Sequence, residues 1–212
     1  MNNPRLDLKG TWQLREDRPG SQPVPALVPG DTYSALLAAG RTPDPYWGKN
    51  ELNLQPLNRQ DWIFSCTFEI DDALLAAENV YLHCDALDTI AEVYLNGQLA
   101  GQSNNMFVRH RFSVRPLLRP GQNEIEIHLR SAENEARRLA AALPYEVPCS
   151  DYPVQSPHRN LVRKVQCHAG WDWGCCLMVA GVYGEIYLAG RRVRLRFALQ
   201  DASLFALRLG EA

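Results

Sequence analysis

Apolar and polar residues alternate in short runs along most of the chain. The clearest run is Glu124-Ile125-Glu126-Ile127-His128-Leu129-Arg130, which puts Ile125, Ile127 and Leu129 on one face and the polar residues on the other. That is the period of a half-buried β-strand. Thr11 to Arg15 alternates in the same way, residues 62–70 are rich in aromatic and β-branched side chains, and residues 80–84 form another strand. Residues 90–95 run into Asn96-Gly97, and residues 98–101 return, the pattern of a tight hairpin. Further strands are predicted over 106–114, 161–168, 182–188 and 193–197, with Pro120 to Asn123 as the turn before the alternating run. Helix is scarce. Residues 32–39, closed by Gly40, make one short candidate and residues 72–78 a single turn. Residues 131–143 make a full helix, with Ser131 as cap, Glu133 and Glu135 at its positive end, and Pro144 as stop. Many short strands without regular intervening helices predict an all-β chain, an antiparallel sandwich or jelly roll with one or two short helices. Residues 144–160 hold four prolines and make a long loop of the kind that often carries function.

Length and composition narrow this picture. The 212 residues are 46% hydrophobic and 22% charged, ordinary for a globular protein. They suffice for one large domain, or one domain plus an appendage. They hold a sandwich, but not a sandwich plus a barrel of about 250 residues. No apolar run approaches the roughly 18 residues that span a bilayer. A net charge of -2 selects neither nucleic acid nor an anionic membrane. The second half is the more basic, and Arg109, Arg111 and Arg115 have the spacing of one solvated strand face. The first residues lack an apolar signal region, so a cytoplasmic location is expected. The six cysteines then read as reduced thiols. Cys167, His168, Cys175 and Cys176 lack the spacing of a zinc site, so no metal is expected. Nothing has the form of a nucleophile elbow or a phosphate loop, and no cofactor is expected.

The stretch with most chemistry is Gly170-Trp171-Asp172-Trp173-Gly174. An indole can cover the apolar face of a sugar, and a carboxylate can accept charge-assisted bonds from two neighbouring hydroxyls. Trp171, Asp172 and Trp173 therefore suit a saccharide subsite. Equally, the two indoles can be core and Asp172 can cap a turn. Lesser candidates are Trp47 in the loop Pro45-Tyr46-Trp47-Gly48-Lys49, Asn104 and Asn105 after the hairpin, and His168 beside the tryptophans. A glycosidase needs two opposed carboxyl groups, and only Asp172 has an aromatic setting. No catalytic residue is assigned within the chain.

Arg159 to Lys164, Gln166-Cys167-His168 and the Trp-Asp-Trp stretch strongly resemble the β-mannosidases of glycoside hydrolase family 2. Residues 28–40, 43–51, 61–64, 87–97 and 105–107 fit the same frame, so the resemblance runs from about Leu6 to Leu188. It implies a galactose-binding-domain-like jelly roll over 1–190, with 191–212 an extension or the start of a further sandwich domain. It implies that Trp171 and Asp172 line the -1 subsite for terminal β-D-mannosyl residues in a retaining exo-glycosidase. It places both catalytic glutamates in a barrel domain outside this sequence, so the chain alone is expected to be inactive. The family pattern continues Trp-Gly-Pro, whereas here Cys175 follows Gly174, which leaves the rigidity of that turn open. The alternatives are a free-standing carbohydrate-binding module, a domain that only orients its neighbours, or a family 2 domain serving a β-galactoside, β-glucuronide or glucosaminide.

Overall fold

The computed structural model describes residues 4–149, 156–171 and 174–191. The strands are β1 (Arg5–Asp7), β2 (Gly10–Glu16), β3 (Val24–Val28), β4 (Gly30–Asp31), β5 (Trp62–Ile70), β6 (Asn79–Asp88) and β7 (Ile90–Leu95). They continue as β8 (Gln98–Ser103), β9 (His110–Ser113), β10 (Gly121–Arg130), β11 (Ala169–Trp171), β12 (Gly174–Cys176) and β13 (Gly181–Arg191). The helices are α1 (Thr32–Ala38), α2 (Asn50–Leu54), α3 (Asp72–Leu75) and α4 (Ala132–Ala142).

One sheet runs β3-β2-β5-β10-β7-β8 and the other β1-β13-β6-β9, with β4 also on β13. The named pairings are antiparallel, as the all-β sandwich reading expects. Alternation fills the space between the sheets. Ile125, Ile127 and Leu129 of β10 are buried with Phe64 of β5, Leu82 of β6 and Leu188 of β13 in one hydrophobic cluster. Trp12 joins them and satisfies its ring N–H on the Leu8 carbonyl at 2.8 Å. Asn96 and Gly97 take φ values of 51° and 77°, the left-handed pair that a two-residue hairpin between β7 and β8 requires. Between Tyr183 and Ile186 the β6–β13 ladder slips by a bulge. Gly184 sits there at φ 73°, and a Cβ on it would come within 2.7 Å of the Asp85 Cβ.

The helices follow their sequence signals. Asp31 caps α1 through the Ser34 N–H at 2.9 Å, and Ser131 caps α4 through the Asn134 N–H at 3.1 Å. Glu133 does more than meet the helix dipole. It is 2% exposed, and one oxygen bridges Arg59 at 2.8 Å and Arg137 at 2.9 Å.

Several expectations need correction. Residues 161–168 are not a strand but two 3-10 turns, Arg159–Leu161 and Gln166–His168, joined by a short extended piece. Their alternation reported burial truly, since Val162 and Lys164 are buried. However, the Leu161 and Lys164 N–H groups bond to His158 and Val162 carbonyls at 3.0 Å each rather than to a neighbouring strand. Residues 106–114 are strand only over His110–Ser113, because the Asn105 side chain accepts the Phe107 N–H at 3.0 Å and starts a turn. Arg109, Arg111 and Arg115 do not share one strand face. Only Arg111 lies in β9, 4.6 Å over the Tyr81 ring, while Arg115 sits in a 3-10 turn and donates to the Leu75 carbonyl at 2.6 Å. That last contact satisfies the carbonyl end of α3. Strand β3 was not predicted; it tolerates Pro25 because, among the described residues, it pairs only with β2 at the sheet edge. Helix α2 was also missed. The predicted strand 193–197 and the proposed boundary at 190 fall at or beyond the edge of the described residues.

Candidate functional site

Strands β11 and β12 form a small ribbon of their own, with Ala169 opposite Cys176 and Trp171 opposite Gly174. Asp172 and Trp173, the two residues between the paired ends, lie outside the described residues. What the structure shows is how the base of this ribbon is held. Gly170 has φ 85°, and a Cβ there would stand 3.0 Å from the Cys176 Cβ, so the two strands meet at a distance that a side chain would spoil.

One set of anchors comes from the segment after the aromatic loop. Glu51 of α2 accepts the Cys176 N–H at 2.5 Å, and the Gln55 amide donates to the Cys176 carbonyl at 2.7 Å. Three residues on, the Asn58 carboxamide oxygen accepts the Met178 N–H at 2.9 Å and the Tyr33 hydroxyl at 2.8 Å. Burial, reinforced by Cys176 and the buried Glu133 carboxylate, pushes the Tyr33 phenol well above its ordinary range, so it stays a donor. The Cys175 thiol lies 3.9 Å from the Pro45 carbonyl, which ties the aromatic loop to β12. Burial, and then Glu51 and Asp44, raise that thiol above its usual range, so it remains protonated.

The second set of anchors centres on Asp88, at the end of β6. Its carboxylate accepts the Lys164 ammonium at 2.7 Å and 2.6 Å through its two oxygens, and it also accepts the Thr89 hydroxyl. The third ammonium bond goes to the Val179 carbonyl at 2.5 Å, beyond β12. Lys164 precedes the ribbon and Val179 follows it, so one ammonium clamps both ends of the segment. Burial alone would raise the Asp88 carboxyl. The His168 ring, the Lys164 ammonium and Thr89 outweigh burial and hold it below the usual carboxylate range. His168 closes the 3-10 turn that runs into β11. Its Nδ1 lies 3.5 Å from Asp88 Oδ2, is itself buried, and has no closer polar partner among the described residues.

The other candidates fall around this base. Asn105 makes a parallel bridge with Arg163, and the Met106 N–H reaches the Arg163 carbonyl at 3.1 Å, so the loop after β8 reaches the approach to the ribbon. The Asn105 side-chain oxygen is engaged by the Phe107 N–H, and Asn104 is exposed. Trp47 is 77% exposed, because the Asp44 side chain and carbonyl hold the loop backbone at the Tyr46 and Trp47 N–H groups and leave the indole outside. The described part of the proline-rich loop borders a cavity of about 350 Å³ lined by Leu143, Tyr145, Val147 and His158. The sequence reading passed over Asp88, Lys164 and Glu51. Asp88 carried no signal of its burial, since the alternation of Val80, Leu82 and Cys84 breaks before it, where Leu87 rather than Ala86 joins the core.

Residues 12–184 match the glycosyl hydrolase 2 galactose-binding domain-like family. The chain belongs to that family. Its jelly-roll-type sandwich is thus the family's galactose-binding-like domain. The chain is 33% identical over 187 residues to a β-mannosidase of Mus musculus, covering 86% of this chain and 21% of that one. It is 37% identical over 182 residues to β-mannosidase B of Aspergillus terreus, covering 84% and 21%. The crystal structure of the β-D-mannosidase from Dictyoglomus thermophilum superposes with a TM-score of 0.83 at 34% identity, covering 88% of this chain and 22% of that one. The chain spans about a fifth of the length of these relatives.

Proposed function

We propose that this chain is the sugar-facing N-terminal domain of a retaining exo-β-mannosidase-like hydrolase and forms one wall of its -1 subsite. The observation that carries the reading is the likeness to β-mannosidases along nearly the whole domain, with a TM-score of 0.83 to one of them. The anchored ribbon supports it. A two-sided clamp on Cys176, Met178 and Val179 is a rigid mount for the base of the β11–β12 ribbon. In this reading Trp171 stacks on the apolar face of a terminal mannosyl ring, and Asp172 accepts two hydroxyl protons remote from the scissile bond. Binding the ring away from the reacting carbon helps hold it in reactive geometry, so the contact acts on the transition state. The two carboxyl groups that cleave the bond belong to a barrel domain of the parent protein, and the domain alone does not hydrolyse. Asp172→Ala in the parent enzyme should lower kcat/KM for an aryl β-mannoside by a hundredfold or more, as expected for roughly 3 kcal/mol of lost charged hydrogen bonding. An unchanged kcat/KM removes Asp172 from the subsite. Turnover by the 212-residue chain by itself would overturn the division of labour.

A further inference from the structure

The Asp88 carboxylate has about four acceptor positions. Lys164 occupies one on each oxygen and Thr89 a third. The Oδ2 side that remains faces His168 Nδ1 at 3.5 Å, and Nδ1 is buried with no other partner among the described residues. The side chains of Asp88 and Lys164 are 0% and 1% exposed, so their charges cancel in a dry setting. The carboxylate therefore needs a neutral donor at its last position, not a second cation. A neutral imidazole carries a proton on one nitrogen only, and the partner of one nitrogen decides the state of the other. A bare Nδ1 would set a lone pair against a carboxylate.

From this geometry we infer that Asp88 holds His168 as the neutral Nδ1–H tautomer, so that Nε2 is a fixed hydrogen-bond acceptor for a sugar hydroxyl. The ligand half of this inference rests on the subsite reading above. His168 is the last residue of the turn that enters β11, three positions before Trp171. Its side chain is 24% exposed although Nδ1 is buried, so the accessible part of the ring lies elsewhere than Nδ1. A fixed acceptor selects for a hydroxyl that can donate, and it rejects a ligand with no donor at that place, because the acceptor would then be left unpaired in a closed site. Asp88 and Lys164 act here as positioning residues. They set the proton on the far nitrogen and the depth of the ring, and touch no ligand.

The test has two arms. The first is long-range proton–nitrogen spectroscopy of this chain labelled with nitrogen-15 in its five histidines, at neutral pH. His168 should show a protonated Nδ1 and a bare Nε2. A bare Nδ1, or an imidazolium protonated on both nitrogens, overturns the inference. The second arm is kinetics of the parent enzyme on an aryl β-mannoside. His168→Phe keeps a ring and removes the acceptor, and should lower kcat/KM about tenfold. His168→Gln returns an oxygen acceptor near the Nε2 position and should recover most of the loss, which a merely structural role would not predict. If Asp172→Ala lowers turnover and His168→Phe does not, the inference falls and the subsite reading stands. If neither change matters, the subsite reading falls and the ligand half of the inference goes with it.

Discussion

Lys164 and Asp88 meet as a buried ion pair, with the ammonium 2.6 Å from one carboxylate oxygen and 2.7 Å from the other, across 76 positions of sequence. Removing one partner strands the other charge in a dry site. Lys164→Met should therefore cost about 3–5 kcal/mol of stability in urea unfolding. Replacing both, as Asp88→Asn with Lys164→Met, should recover a large part of that loss, since it removes the stranded charge. A double variant no more stable than the single one would show that the pair is not the source of the cost.

The same pair sets an acid limit. The Asp88 carboxyl sits lower in the fold than in the unfolded chain, because the His168 ring and Lys164 outweigh the opposing effect of burial. Its stabilising contribution is then complete above the ordinary carboxylate value of about 4 and is lost as pH falls through the lower folded value. Unfolding free energies measured from neutral pH downward should show a steeper fall below about pH 4 in the wild-type chain than in the double variant. Parallel curves would mean that Asp88 titrates alike in both states.

Gly170 is a second point of sensitivity. Alanine there must adopt φ near 85° with its Cβ 3.0 Å from that of Cys176. The left-handed backbone alone costs about 1–2 kcal/mol. Gly170→Ala should accelerate exchange of the β11–β12 amides more than that of the β5 and β10 amides in the main sheet. Unaltered exchange in the ribbon would contradict the close approach.

Glu51 is the charged acceptor on the other side of the ribbon, bonded to the Cys176 N–H. Glu51→Ala removes that charged acceptor and should weaken local closure by about 1.5–3 kcal/mol, or roughly 10- to 100-fold faster exchange at the Cys176 amide. Global stability should change less than local protection, because β12 pairs with β11 rather than with either main sheet. Equal losses in both would show that the ribbon opens only with the whole domain.

Much of this domain was legible in the chain itself. The strands β2, β5, β7, β8 and β10 and the helices α1 and α4 follow from local rules. A side-chain period of two, an Asn-Gly turn and a capping serine act over a few residues and need no partner far away. The Trp171-Asp172-Trp173 motif stands out as a candidate for the same reason, as local chemistry in a short run. What surrounds its base was not legible. Residues 161–168 carry a strand's alternation, yet the backbone turns on itself in two 3-10 turns, and the inward position is filled by a lysine whose acceptor is 76 residues away. Asp88, Glu51 and Asn58 look like ordinary polar residues until folding brings them against the ribbon. Only tertiary packing can decide which polar groups are buried together. Burial makes their pairing obligatory, and that pairing fixes the ribbon and, with it, the tautomer inferred for His168.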